Sequence, residues 1–144
     1  MNPEGKAPPI PDLMRWVFWF ALISAIGLYF FFLQISDISP KPSAEGDGML
    51  KKVLLFVGLV LMVVSLGVKH FVRHRMRPAG EAGITPNLFA AYIMALALGE
   101  APAIFGLVLG FQGEPMKDYL PLFVMALVTL VLIAPPFFFP KEEA

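Results

Sequence analysis

Cysteine is absent from the chain and histidine occurs only twice. The first absence removes disulfides, thiolate metal sites and a thiol nucleophile. The two histidines, His70 and His74, lie outside the apolar runs and are too few for most metal centres. Charge is also scarce, since Asp, Glu, Lys and Arg make up 15% of the 144 residues and their formal sum is zero, which excludes a basic nucleic-acid binder as a reading of the whole chain. Within the apolar runs there is no Ser-His-Asp set, phosphate loop, metal cluster or carboxylate pair at helical spacing. Nothing therefore points to an enzyme, and no cofactor is implied.

What fills the sequence instead is apolar residues, at 58% of the total, with a mean hydropathy of +0.73. A water-soluble domain with a polar surface does not show such values, so the chain reads as an integral membrane protein whose first partner is the lipid bilayer. Four apolar runs approach or exceed the roughly 20 residues that cross about 30 Å of hydrocarbon as a helix. They predict an all-α polytopic protein with four transmembrane helices at about 13–33, 50–72, 86–111 and 119–136. A proline-rich tail over 1–12 and a short tail over 140–144 flank one membrane domain over 13–139. Trp16, Trp19 and Arg15 at the start of the first span, and Tyr29 to Phe32 at its end, suit anchoring at the membrane interfaces. Pro135-Pro136 should stop the fourth helix near Ala134 and leave Phe137 to Phe139 at the interface.

Charge position sets the expected orientation. Four crossings put Lys6, Arg15, Lys69, Arg73, Arg75, Arg77 and Lys141 on one side, against Lys41, Lys51, Lys52 and Lys117 on the other. Basic residues favour the cytoplasm, so both termini and the middle loop are expected there, in the cell membrane, or the inner membrane of a bacterium. Arg73, Arg75 and Arg77 serve this topology first, with binding of anionic lipid headgroups as the lesser role.

One ionisable residue interrupts the third run. Glu100 lies 14 residues from Pro86, roughly 21 Å along the helix. Placing an acidic residue at the centre of a membrane helix costs about 2.5–3.5 kcal/mol, so such a group marks a functional site unless it is neutralised by structure. Desolvation there disfavours the charged form. Pro102 cannot donate to the Leu98 carbonyl and loosens the backbone beside the acid. By depth, Gly58 of the second helix is level with Glu100 and leaves room for its side chain, while Thr129 of the fourth helix is the best hydrogen-bond partner within the chain. No Lys, Arg or His shares that depth. Ala91, Ala95, Gly99, Ala103, Gly106 and Gly110 form a stripe of small residues that lets a neighbouring helix approach closely. Two readings remain open: an ion-binding carboxyl, or a protonated structural Glu bonded to Thr129 or to a carbonyl.

The segment from Ala95 to Leu109, ALALGEAPAIFGLVL, resembles the carboxylate helix of the c subunit of F-type ATP synthases and its vacuolar-type proteolipid relatives. In that family a run of the form A-L-x-E-A-x-A-I-Y/F-G-L-V carries the ion-binding Glu. The resemblance covers residues 53–111, and Arg77-Pro78 is similar to the family's polar loop. It implies that the second and third helices form a c-subunit-like hairpin, that Glu100 is a proton carrier, and that partners are further copies of the chain or other membrane subunits. The spans before and after have no counterpart in a two-helix family. Protons suit the site better than sodium, because sodium needs several oxygen ligands and the helix supplies few near Glu100.

Overall fold

A computed structural model describes residues 11–36, 38, 47–75 and 86–139, and these are helical with short connections. The elements are α1 (Asp12–Ile35), α2 (Asp47–Arg75), α3 (Pro86–Phe111), α4 (Met116–Leu132) and a single turn, α5 (Pro135–Phe138). Arg77, both expected tails up to residue 10 and from residue 140, and most of the first loop lie outside the described residues. Three helices, α1, α2 and α3, are long and apolar enough to cross a membrane. The fourth has 17 residues, about 26 Å at 1.5 Å per residue, and is shorter than the others.

Local chemistry accounts for the helix ends. Asp12 opens α1 where a negative charge suits the exposed N–H groups, and it pairs with Arg15 one turn on. Between α3 and α4 the chain makes a Schellman turn: Gly113 N–H donates to Gly110 O (3.0 Å) and Glu114 N–H to Leu109 O (3.2 Å). Gly113 adopts φ 83°, a conformation that a β-carbon disfavours. At the same rim the Lys51 ammonium of α2 pairs with Glu114 and, at 2.9 Å, with Asp118, tying the start of α2 to this turn.

The expected fourth span over 119–136 is corrected at both ends. The helix begins earlier, after Pro115, and stops at Leu132. Pro135 and Pro136 have no N–H to offer the carbonyls of Val131 and Leu132, so the helix cannot propagate, yet proline at a first position begins a helix well and the chain restarts as α5. The last four carbonyls of α4 nevertheless all find donors. Thr129 O accepts from Ile133 N–H (3.0 Å) and Val131 O from Ala134 N–H (3.2 Å). Leu130 O accepts from the Trp19 indole (2.8 Å) and Leu132 O from the Lys69 ammonium (2.6 Å). In an apolar medium such a full accounting is required, because an orphan carbonyl there costs several kcal/mol.

Packing is centred on α3 and α4, each of which touches the other three long helices. Ten residues of α3 are buried, whereas α1 buries only Ile26 and Leu33. With Trp19, these two repeat at intervals of seven; on α2 the buried residues Gly58, Ser65 and Val72 do the same. Each outer helix thus docks along one narrow heptad seam and turns the rest of its surface outward. That outward surface is apolar, with Phe20, Leu28, Phe31, Phe56 and Val63 among its exposed side chains. A surface of this kind in water would associate, and hydrocarbon is the solvent it fits.

The aromatic ends also differ from the anchoring expectation. Phe137 is exposed, but Phe138 and Phe139 fold back onto Tyr92, with ring centroids 4.9 and 5.0 Å away. The Arg15 guanidinium stacks over the Phe139 ring at 4.6 Å. Trp16 stays exposed, whereas Trp19 is held by its bond to Leu130. The reason is the early stop of α4, which leaves carbonyls to satisfy and turns α5 back against α3.

Candidate functional site

Glu100 sits half-buried on α3, on the side that faces α1. Its Oε1 accepts a hydrogen bond of 3.1 Å from the Tyr29 hydroxyl. Tyr29 follows Ile26 by three residues and precedes Leu33 by four, so the α-helical repeat puts it on the same inward face as the α1 seam. The next aromatic, Phe30, meets Phe123 of α4 edge-on at 5.6 Å, which leaves Phe31 and Phe32 exposed. Of the four aromatic residues expected as an interface belt, two are therefore turned into the bundle.

Neighbours along α3 point elsewhere. Gly99, one position earlier, packs against α4: a β-carbon added there would lie 3.1 Å from Thr129 Cγ2 and 3.3 Å from Leu130 Cδ2. Pro102 is fully buried and faces α2, with its Cβ 3.5 Å from where a β-carbon on Gly58 would stand. Leu122 fills the remaining space at Gly58, at 3.0 Å. Gly58 is thus level with this part of α3, as its depth implied, but the room it leaves admits Pro102 and Leu122, not the Glu100 side chain. Two residues separate Glu100 from Pro102, a rotation of about 200° around the helix, so the acid and the proline occupy opposite sides.

Thr129 is not the partner of Glu100. Its hydroxyl donates to Met125 O in its own helix at 2.7 Å, and its methyl group packs on Gly99. A threonine in a helix can always reach the carbonyl four residues back, and that local bond needs no neighbouring helix to form.

The stripe of small residues is covered within the chain. Ala95, Gly99, Ala103, Gly106 and Gly110 are buried and Ala91 is partly so. At Gly106 a β-carbon would meet Phe123 Cε2 at 2.9 Å and Tyr119 O at 3.2 Å, and at Gly110 it would meet Leu33. The stripe lies against α4 and α1, which it lets approach α3 closely. Opposite Gly99, the Ser65 hydroxyl of α2 donates to Ala95 O at 2.8 Å. Tyr29 is the site residue that the sequence did not single out, because it stands in a run of four aromatics, Tyr29 to Phe32.

Among the described residues the ion pairs join Arg15 to Asp12 and Lys51 to Glu114 and Asp118, all near helix ends. Glu100 has no cationic partner among them, and the Tyr29 hydroxyl is its polar contact. Arg73 and Arg75 are exposed at the end of α2. No protein-family model, curated protein or solved structure matches the chain.

Proposed function

We propose that the chain is a four-span protein of the cell membrane that binds a proton at Glu100, with Tyr29 as the group that holds the carboxyl in place. The observation that carries this reading is the Tyr29–Glu100 hydrogen bond in a site without a cation. A carboxyl in hydrocarbon that lacks an ammonium or guanidinium must take its counter-charge from a proton, and one neutral hydroxyl donor orients it without neutralising it. Sodium would require several oxygen ligands, and Tyr29 supplies one. Glu100 is half-buried, so its carboxyl retains a route to the surroundings of the bundle.

On this reading α4 is the fourth crossing, its 17 residues falling at the lower end of the spanning range. Both termini and the basic end of α2 then face the cytoplasm by the distribution of Lys and Arg. The pair α2 and α3 is the c-subunit-like hairpin. Because Gly99 and Gly106 already pack on α4, further copies or other membrane subunits would meet the chain through the exposed faces of α1 and α2.

A second reading rests on the same bond. Tyr29 to Glu100 ties α1 to α3, and a protonated Glu used only for that purpose would make the protein a non-catalytic assembly or interaction module. Dicyclohexylcarbodiimide, which modifies protonated carboxyls in apolar surroundings, discriminates between them in native membranes. Proton exchange predicts labelling at Glu100 that varies with pH, and a structural acid that never releases its proton predicts labelling that does not.

A further inference from the structure

Basic and apolar groups also meet outside the Glu100 site, at the C-terminal end of α2. An open concavity of about 470 Å³ is lined there by Leu66, Lys69, His70, Arg73 and His74. Lys69 and Arg73, and likewise His70 and His74, are four residues apart, so their side chains stand over one another on one face. The two imidazole rings lie 4.3 Å apart. Lys69 has one of its three donors on Leu132 O. Among the described residues Arg73 has neither an acidic partner nor a hydrogen-bond acceptor for its five donors. Three of the five lining side chains, His70, Arg73 and His74, are exposed.

The same face continues toward the middle of the helix as an apolar ridge. Leu59, Val63 and Leu66 precede His70 at steps of four, three and four residues, and Leu59 and Val63 are exposed. The concavity is thus a furrow whose aliphatic wall is Leu66, the end of this ridge, beside a cluster of N–H donors. A free phosphate ion would use the donors and leave the wall unmatched.

We infer that this furrow is a binding site for an anionic phospholipid, whose phosphodiester is held by Arg73, Lys69, His70 and His74 while an acyl chain leaves it over Leu66, Val63 and Leu59. It differs from general attraction of a basic helix end to an acidic membrane because it depends on the furrow and on Arg73, not on the number of charges. Arg75, exposed two residues further on, does not line the concavity.

Native mass spectrometry of the full chain, released from defined mixtures of phosphatidylglycerol and phosphatidylcholine, tests this. The wild-type protein should retain phosphatidylglycerol in preference, Arg73→Gln should reduce that preference roughly fivefold, and Arg75→Gln should leave it unchanged. Leu66→Gln alters no charge and places a polar group at the one apolar residue lining the concavity, so it should also weaken retention. Absence of any preference in the wild-type protein, or equal losses for Arg73→Gln and Arg75→Gln, would overturn the site. Full retention in Leu66→Gln, or release of the lipid by inorganic phosphate at matched concentration, would overturn it equally.

Discussion

The Tyr29 hydroxyl donates to Glu100 Oε1 across 3.1 Å, and through it the first helix touches the one acidic residue that lies away from the ends of the described helices. Removing the hydroxyl alone should weaken the packing of α1 on α3. Tyr29→Phe keeps the ring and is expected to destabilise by about 0.6 kcal/mol, the average for hydrogen bonds between membrane helices, and by no more than about 1.7 kcal/mol, their maximum. A double-mutant cycle with Glu100→Ala, followed by thermal unfolding in mild detergent, should return most of that energy as coupling. Additive losses would mean that the two side chains do not share a bond.

Glycines of the chain divide by what surrounds them. Gly106→Ala would push a β-carbon against Phe123 and the Tyr119 carbonyl, and overpacking of this kind costs about 1–3 kcal/mol. Gly67→Ala meets open space in the middle of α2 and should stabilise by about 0.5–1 kcal/mol through helix propensity. Unfolding temperatures that move in the same direction for both would contradict the assignment of α4 to the Gly106 face.

The end of α4 gives a third test. Trp19→Phe leaves Leu130 O without its donor in apolar surroundings, for which about 1–3 kcal/mol is the expected cost. Ser65→Ala removes a bond to Ala95 O, a carbonyl within α3 that also lies in range of the Gly99 N–H of its own helix, so about 0.6 kcal/mol is expected. The larger loss should fall on the tryptophan. A reversed order, read by denaturation at matched detergent concentration, would remove the carbonyl argument for the early stop of the helix.

Much of this fold was legible in the sequence because membrane spans are long and repetitive. The apolar run over 86–111 predicts α3, and the structure has the helix at Pro86–Phe111. The ends of α4 were harder, since prolines read as a stop can equally serve as a start, and α5 uses Pro135 in that second way. The site was legible at Glu100, whose isolation in an apolar run needs no partner to be noticed. Its partner was not. Depth counting ranks residues along the membrane normal and says nothing of azimuth, so it proposed Gly58 and Thr129 at suitable levels while both face away from the acid. Tyr29 lay in a run of aromatics that an interface explains equally well, and only the seam formed by Ile26 and Leu33 distinguishes it.

The central claim is that Glu100 exchanges a proton. Infrared difference spectra of the protein in native membranes, recorded as the pH is changed, follow the carbonyl stretch of a protonated carboxyl directly. The account predicts a band that grows on acidification in the wild-type protein and is missing in Glu100→Gln, a variant whose amide oxygen can still accept from Tyr29 and so preserves the contact between α1 and α3. A spectrum in which no band dependent on Glu100 changes at any pH would contradict it and leave the acid a structural tie between two helices.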